Sequence, residues 1–263
     1  MDLSGANFSR AELRGVDFSE ANLSRADLRG ADAGEAKLWK CNLQDALLQG
    51  AFMGAANLLE ANLQGAKLTQ STLVMAILRK SNISDADISD ADLSSADLAR
   101  ATLTESDLYQ ANLSRATCNE TNFEGAKLKE AIFQKANLRG ARIDGAELPS
   151  FQIVPETGHF HAYKNVRTAT HQPVVVELLI PKSARRTSSL IGRKCRADKA
   201  KVVRIVSDSP TSDEILFSHF TRSFTYKVGE WVKEPEYDPD IRVECTKGIH
   251  FFMTIEEAKG YAW

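Results

Sequence analysis

Large apolar residues recur at every fifth position along the first 148 residues of the chain. The thirty positions 3, 8, 13 and so on to 148 hold twenty leucines, four phenylalanines and three isoleucines, with Ala33, Met53 and Cys118 as the exceptions. The residue two places earlier is small in all repeats except those with Met1 and Val16, and it is alanine in 23 of the 30. Because the register runs without an insertion, it predicts one continuous repeat architecture.

A five-residue period fits neither an α-helix nor a single β-strand. At roughly 100° per residue, the leucines would spiral around a helix. On a strand, an odd period would send successive leucines to opposite faces. A coil with four five-residue sides turns every fifth residue inward, and such coils must stack to bury their leucines. The pattern therefore predicts stacked four-sided coils around a narrow core of leucine and alanine.

The repeat resembles the motif of the pentapeptide-repeat family, which is a small residue, Asp or Asn, Leu or Phe, and two polar positions. Ala6-Asn7-Phe8-Ser9-Arg10 and Ala21-Asn22-Leu23-Ser24-Arg25 are examples. The resemblance covers residues 1–148 and implies a right-handed quadrilateral β-helix of about 7.5 coils, roughly 36 Å long at ~4.8 Å per coil. It also implies that DNA mimicry against a type II topoisomerase is one function to test, because some family members act in that way.

The composition changes after Pro149. Residues 1–150 carry a net charge of −5 and seven aromatic residues, whereas residues 151–263 carry +3 and thirteen. We therefore predict a β-helix over 1–148, a linker over 149–158 and a small β-rich α+β domain over 159–263. Apolar and β-branched runs predict strands at 160–164, 174–180, 201–206, 224–232 (interrupted at Gly229) and 248–253. Thr254 followed by Glu257 is a capping box and predicts a short helix over 254–261.

The second part of the chain carries its own resemblance. Gly192-Arg193-Lys194-Cys195-Arg196-Ala197, Phe224-Thr225-Tyr226-Lys227-Val228-Gly229, and Glu244-Cys245 followed by Gly248-Ile249-His250-Phe251-Phe252 are similar to motifs of an uncharacterised domain. That domain often follows pentapeptide repeats in bacteriophage and large-virus proteins. The resemblance implies a viral or prophage origin and supplies no activity.

The repeat register also predicts which residues face outward. Residues twenty apart lie above one another, and most outward positions are polar. An apolar stripe departs from this rule, and its members are Trp39, Phe52, Leu59, Val74, Met75 and Ile77. Exposed apolar stripes are typical of contact surfaces. The stripe predicts contact with a partner protein, with a second copy, or with this chain's own second domain.

An acidic ladder is the second feature of the predicted surface. Residues 81–107 contain seven acids and one base, and stacking places Asp85 over Glu105 and Asp87 over Asp107. The remaining members lie on neighbouring sides: Asp90, Asp92 and Asp97. The spacing resembles a phosphate series and favours mimicry of DNA. The alternative is a solvated face, since sixteen basic residues interrupt the acidic surface.

The repeat begins at residue 1, so we expect an uncapped first coil. An open end of a β-helix exposes backbone and core, including Phe8 and Phe18. The hypothesis that follows is end-on self-association of two chains, which adds a homo-oligomer to the expected partners.

The second domain contains a basic run and a few reactive side chains. Arg185, Arg186, Arg193, Lys194 and Arg196 are candidates for contact with an acidic partner, and the alternative is a solvated loop. Cys195, Cys245 and His250 invite a Cys–His catalytic hypothesis, but no nucleophile motif or acidic orienter accompanies them. His159 and His161 are too few ligands for a zinc site. We therefore expect no catalytic residue, metal or cofactor.

The whole-chain composition adds limits to the function. The net charge is −2 over 263 residues, which excludes a polybasic nucleic-acid binder, so direct nucleic-acid binding is not expected. No apolar run approaches membrane-spanning length, the four cysteines do not form a disulfide framework, and the predicted location is the cytoplasm, of a host if phage-encoded. The sequence predicts a non-enzymatic protein-binding scaffold that modulates a host protein, with DNA mimicry against gyrase as the alternative.

Overall fold

The computed structural model describes residues 1–206, 215–218 and 224–261. The chain divides into two compact units, Met1–Ser150 and Phe151–Trp263.

Parallel β-bridges between residues twenty apart build the first unit. Asp2 pairs with Asn22 and Asn22 with Asn42, and the same step continues to the bridge between Lys127 and Glu147. One coil therefore contains four five-residue sides, and each side contributes a single bridge to each neighbouring coil. The four-sided β-helix predicted from the period is confirmed.

A β-turn closes each corner of the coil. The amide of Ala6 donates to the carbonyl of Leu3 at 3.0 Å, and the amide of Ala26 donates to Leu23 at the same distance. The last residue of each repeat has positive φ, for example 59° at Arg10 and 58° at Gln70. Positive φ at the third turn residue is typical of a type II turn. Non-glycine residues tolerate this conformation here because the stacked coils satisfy the backbone above and below each corner.

The interior of the β-helix is a column of leucine and alanine. Leu23, Leu43 and Leu63 are fully buried one above another. Where serine replaces alanine, its hydroxyl donates to a nearby carbonyl, as Ser71 does to Leu68 at 2.7 Å. Burial is less complete in the first coil, where Leu3 is only half-buried. Each leucine is therefore covered by the coils on both sides rather than by its own repeat.

The second unit consists of nine short strands and one helix among its described residues. The strands are β1 Phe160–Arg167, β2 Pro173–Ile180, β3 Arg186–Thr187, β4 Cys195–Ala197, β5 Lys199–Val206, β6 Leu216–Phe217, β7 Thr225–Tyr226, β8 Trp231–Lys233 and β9 Ile249–Phe251. The helix α1 covers Ile255–Gly260. Six strands form an antiparallel sheet in the order β7-β6-β1-β2-β5-β8, and three form a second sheet in the order β3-β4-β9.

A shared core joins the two sheets. Val166, Val176 and Leu178 of the larger sheet and Ala197 and Phe251 of the smaller one belong to one buried cluster. The opposite face of β2 contacts α1, where Val175 packs with Ala258. The smaller sheet therefore lies on one side of β1 and β2, and the helix lies on the other.

The structure confirms most of the predicted elements of this unit and refines one. The strands predicted at 160–164, 174–180, 201–206 and 248–253 correspond to β1, β2, β5 and β9. The capping box forms, because Thr254 and Glu257 bond reciprocally at 3.2 Å. The strand predicted at 224–232 is two strands, since Gly229, with φ of 86°, lies in a turn between β7 and β8. The turn sends β7 to pair with β6 and β8 to pair with β5.

Candidate functional site

The apolar stripe lies on two adjoining sides of the β-helix. Met75 is 65% exposed, Phe52 is 42% exposed and Ile77 is 39% exposed. Trp39, Leu59 and Val74 are half-buried. The side chains of Phe52, Met75 and Ile77 are therefore the parts of the stripe that water reaches most.

Two glycines seat the ring of Phe52 against the wall of the β-helix. A Cβ atom on Gly34 would lie 2.8 Å from Cε1 of Phe52, and one on Gly54 would lie 2.9 Å from Cζ. The ring therefore covers the positions of Gly34 and Gly54, where a residue with a side chain would collide with it. This packing fixes the ring in one orientation and leaves its outer face in water.

The acids of the predicted ladder have local partners. Asp87, Asp92, Asp97 and Asp107 each accept a hydrogen bond from the backbone amide two residues later, at 2.9 to 3.2 Å. These bonds close the turns of the coil. Four of the seven acids therefore stabilise the turns of the β-helix, whether or not they also bind a partner protein.

Basic and amide groups contact several of the same acids. Asp97 lies 3.7 Å from Arg79, and Asp107 lies 3.5 Å from Lys127. Gln64 donates to Asp85 at 3.2 Å. The carboxylate of Glu105 lies against Gly125, where a Cβ atom would come within 2.2 Å of Oε1. The ladder is therefore an acidic face with interspersed donors, and its role in DNA mimicry stays a prediction.

Two further columns on the β-helix were missed by sequence reasoning. One is an asparagine ladder in which each side-chain amide donates to the side-chain oxygen of the asparagine twenty residues earlier, at 3.0 to 3.3 Å, and it consists of Asn22, Asn42, Asn62 and Asn82. The other is a corner column of alternating charge, in which Lys40 and Lys80 lie 3.8 and 3.6 Å from Glu60. Both columns can be found in the sequence by comparing residues twenty apart: asparagine recurs in the first, and the sign of the charge alternates in the second.

Residues of the basic run form hydrogen bonds and ion pairs with other residues of the second unit. Arg185 bonds Asp198 at 3.0 Å, Arg186 donates to the carbonyl of Gly158 at 2.9 Å, and Arg193 bonds Glu257. Lys194 is 3% exposed and Arg196 is 1% exposed. Contact of this run with an acidic partner stays a prediction, and only the exposed Arg185 and Arg193 and the half-buried Arg186 could make it without rearrangement.

Arg196 organises the loop that precedes β9. Its guanidinium donates to the carbonyls of Asp238 at 3.2 Å and Asp240 at 2.5 Å, and also to Val243 and Glu244. Burial lowers the pKa of Arg196, but the arginine remains charged because its ordinary value is so high. One buried cation thus fixes the path of residues 238–244.

Two glycines of the resemblance motifs make room for this arrangement. A Cβ atom on Gly192 would lie 2.0 Å from Oε1 of Glu244, and one on Gly248 would lie 3.1 Å from Cδ of Arg196. In the smaller sheet, Arg196 pairs with His250 and Cys195 pairs with Phe251. The motifs at 192–197, 244–245 and 248–252 therefore meet at one place, although they are up to sixty residues apart in the chain.

Cys245, Lys194, Tyr261, Lys164 and His250 lie together where these motifs meet. The ammonium of Lys194 donates to Sγ of Cys245 at 3.1 Å and to the hydroxyl of Tyr261 at 2.8 Å. Lys164 donates to the carbonyl of His250 at 3.0 Å. Burial and then the charge of Lys194 lower the pKa of Lys164 to about 7. Sequence reasoning missed Lys164 and Tyr261, which lie on β1 and after α1.

The three residues of the Cys–His hypothesis have different environments. Cys195 is buried, and burial raises the pKa of its thiol to about 12. Cys245 is exposed. Burial, followed by the charges of Lys164 and Lys194, lowers the pKa of His250 to about 2, so its imidazole is neutral at physiological pH.

His161 meets a carboxylate on the other face of the sheet. Its Nδ1 lies 2.6 Å from Oε1 of Glu177, and Nε of Arg204 lies 2.5 Å from Oε2. Burial opposes ionisation of Glu177, but the bonds from Arg204 and His161 outweigh it and lower the pKa of Glu177. Within the described ranges, no three His, Cys, Asp or Glu side chains converge as a metal site.

Comparison with known families identifies the first unit. A model described as pentapeptide repeats matches residues 2–39, 36–74, 81–117 and 106–148, which together exceed half of the chain. The chain belongs to the pentapeptide-repeat family. Pentapeptide-repeat proteins act in protein–protein interaction, and neither of the matching families indicates an enzyme.

The second unit of this pentapeptide-repeat protein matches a different model. Residues 150–258 match a family of unknown function, DUF5758. A search of curated proteins found no match. Among the described residues, no helix is long and apolar enough to cross a membrane.

Several solved pentapeptide-repeat proteins are similar to part of the chain. HetL of the cyanobacterium Nostoc, involved in the regulation of heterocyst differentiation, is 26% identical, with a TM-score of 0.41, over 57% of this chain and 85% of HetL. QnrB1, a plasmid-mediated fluoroquinolone resistance protein, is 22% identical, with a TM-score of 0.34, over 57% and 81%. A thylakoid-lumen protein of Arabidopsis thaliana is 27% identical, with a TM-score of 0.24, over 52% and 68%.

Proposed function

We propose that the chain is a non-enzymatic scaffold whose β-helix binds a protein partner through the apolar stripe. The observation that carries this proposal is the exposure of Phe52, Met75 and Ile77 on adjoining sides of a regularly hydrogen-bonded wall. Contiguous apolar exposure of this kind is typical of interaction surfaces.

The rigidity of the wall supports the same function. Parallel bridges link Phe52 to both Asp32 and Thr72, and they link Ile77 to both Asn57 and Asp97. A surface that is ordered before binding loses little conformational entropy when a partner docks. The seating of Phe52 on Gly34 and Gly54 extends this order to the side chain.

The sequence of the second unit supports a proposal about the partner. Its motifs resemble those of a domain in bacteriophage and large-virus proteins, which favours a viral source. The proposed partner is then a protein of the infected host, and the scaffold acts by occupying the surface of that protein.

The test replaces Met75, the most exposed residue of the stripe, together with Ile77, which lies two residues further along the chain. The double variant Met75→Ser with Ile77→Ser is compared with wild type for recovery of binding proteins from a bacterial host lysate, measured by quantitative mass spectrometry. Recovery of the specific partner should fall about tenfold or more, since central apolar contacts dominate binding. Ile132→Ser is the matched control, because Ile132 is 50% exposed and lies eighty residues, or four coils, above Phe52.

Equal recovery by wild type, the double variant and Ile132→Ser would contradict binding through the stripe. Sedimentation of the same three proteins separates a foreign partner from a second copy. A wild-type dimer that dissociates in the stripe variant would assign the surface to self-association. A dimer that persists in the variant would instead favour association through the first coil.

The acidic ladder supports a second proposal, DNA mimicry against a type II topoisomerase. Asp87 and Asp107 pair in one parallel bridge, so two carboxylates lie one coil apart on the same side. A gyrase supercoiling assay tests this proposal with wild type and with Asp87→Asn/Asp90→Asn. Inhibition by wild type that the variant loses supports mimicry, and no effect of micromolar wild type contradicts it.

A further inference from the structure

Strand β8 forms one edge of the larger sheet of the second unit. It pairs with β5 on one side, and within the described part of the chain no strand lies on its other side. Lys201 is opposite Trp231, and Lys199 is opposite Lys233. Val232 belongs to the buried core, so its neighbours Trp231 and Lys233 direct their side chains to the other face of the sheet. One aromatic residue and three lysines therefore share this outer face.

The hydrogen bonds between β5 and β8 show which backbone groups of the edge have no strand partner. The amide of Val202 donates to the carbonyl of Glu230 at 3.0 Å, so these two residues form a hydrogen-bonded pair. Such pairs alternate with non-hydrogen-bonded pairs along an antiparallel ladder. Trp231 and Lys233 therefore direct their N–H and C=O groups away from β5, and no described residue bonds to these groups. They form a short template for a further strand.

The lysines of this face lack carboxylate partners. Lys199, Lys201 and Lys233 form no ion pair with any residue that the structure describes. The acids beside them in the chain have other partners, because Asp198 bonds an arginine at 3.0 Å and Glu230 lies 3.6 Å from a lysine. Lys199 and Lys233 are directly opposite each other, and like charges in such a pair repel. An anionic group bound between them would remove this repulsion.

Trp231 adds apolar surface beside these charges. Its side chain is 50% exposed. Leu179 of β2 pairs with Lys201 from the other side and is half-buried. Exposed tryptophan is enriched among the residues that dominate protein interfaces. The outer face at this edge therefore combines a flat apolar anchor with unpaired positive charge.

We propose that the edge of β8 binds an extended acidic peptide segment as an added strand. The backbone groups of Trp231 and Lys233 bond the segment, and the lysines contact carboxylates at every second position, where side chains share the outer face. Open C=O groups at strand spacing need N–H donors, which a peptide backbone supplies and a sugar–phosphate backbone does not. Lysines at a sheet edge discourage pairing with apolar strands, so the same charges select an acidic one. This surface shares no residue with the apolar stripe.

The test measures binding of labelled peptides to the full chain by fluorescence anisotropy. The probe is a fluorescein-labelled peptide of alternating glutamate and threonine, and its matched control alternates lysine and threonine. The acidic probe should bind and the basic one should not. Methylation of the glutamate amides should weaken binding about tenfold or more, because these amides face Trp231 and Lys233 in the added strand. Methylation of the threonine amides, which point away from β8, should leave binding nearly unchanged.

Lysine variants test the role of charge. Lys199→Gln with Lys233→Gln should weaken binding of the acidic probe about tenfold, since two partly exposed charge contacts are lost. Lys129→Gln with Lys135→Gln makes the same change in net charge at exposed positions of the β-helix and should bind like wild type. Circular dichroism checks that both double variants are folded.

Three results would overturn the proposal. One is no binding of the acidic probe to wild type, and another is equal loss of binding with either methylated peptide. The third is tighter binding of a thymidine oligonucleotide than of the acidic probe, which would assign the surface to nucleic acid. If the Lys199→Gln/Lys233→Gln variant does not fold, the two methylated peptides decide the matter with wild-type protein.

Discussion

Single charged residues in the second unit lie where water does not reach them. In place of water, the guanidinium of Arg196 donates hydrogen bonds to backbone carbonyls of one loop. The ammonium of Lys194 donates to the thiol of Cys245 and the hydroxyl of Tyr261. A buried cation contributes to stability only while all of its partners remain. Removing one such side chain should therefore cost far more than removing an exposed one.

Arg196→Met should destabilise the second unit by about 3 kcal/mol or more, because the carbonyls of residues 238–244 lose their shared donor. Denaturant unfolding of the variant measures the loss. Arg185→Met is the matched control: Arg185 is 59% exposed, and loss of its bond to Asp198 should cost under ~1 kcal/mol. Similar unfolding midpoints for the two variants would contradict a central role for Arg196.

Lys164 should make stability depend on pH. Its folded pKa is lowered from 10.5 to about 7, so the unfolded chain holds this proton up to about pH 10.5 while the folded chain releases it near pH 7. The cost of burying the charge is therefore full below pH 7 and disappears as the pH rises to 10.5.

Lys164→Met should accordingly raise the melting temperature of the second unit most at pH 6, with the gain shrinking toward pH 10. Loss of the bond to the carbonyl of His250 subtracts about 1 kcal/mol at every pH. Thermal melts of wild type and variant at several pH values measure the difference. A difference that does not change between pH 6 and pH 10 would show that Lys164 is not the group responsible.

At the scale of elements, each side of the β-helix depends on its neighbours. Phe52 belongs to one coil, yet its ring lies across Gly34 of the coil before and Gly54 just after it in the chain. Glycine is needed at these positions because of the close approach of the ring rather than because of an unusual φ. The exposed aromatic residue and the glycines therefore form one packing unit.

Gly34→Ala should destabilise the β-helix by about 1–2 kcal/mol, because the new Cβ would overlap the ring of Phe52. In a Phe52→Ser background the same substitution should cost less than half as much. A double-mutant cycle from denaturant unfolding measures this coupling. Equal costs in both backgrounds would mean that the ring does not rest on Gly34 in solution.

The elements of the two units were predictable to different degrees. The β-helix register follows from the five-residue spacing alone, since the large apolar residue of every repeat occupies the same interior position. In the second unit, the strands β3, β4 and β6 were not predicted, because strands of two or three residues carry no periodicity. The cluster of Lys164, Lys194 and Cys245 escaped prediction for another reason, because these residues approach one another only through the pairing of distant strands.

At the scale of the whole molecule, the two units should respond separately to substitutions in their cores. Leu63 is fully buried in the β-helix, and Leu63→Ala should cost about 2–5 kcal/mol through the cavity it leaves. Scanning calorimetry of the full chain should show that this variant lowers one transition and that Arg196→Met lowers the other. A single transition that both variants shift together would contradict separate folding of the two units.

The five-residue period alone specifies the four-sided coil, its core and the outward positions of the stripe and ladder, because the physical requirement repeats identically thirty times. Tertiary structure decides what those outward residues do. Part of the acidic ladder accepts hydrogen bonds from backbone amides and so caps the turns, and two glycines hold the ring of Phe52 in one orientation. In the second unit, tertiary structure also buries Lys194 and Arg196 of the basic run and places the ammonium group of Lys194 beside one exposed thiol. The turn caps join residues only two apart, whereas the burial of Lys194 and Arg196 and the contact of Lys194 with Cys245 depend on residues far apart in the chain, and no local pattern encodes those contacts.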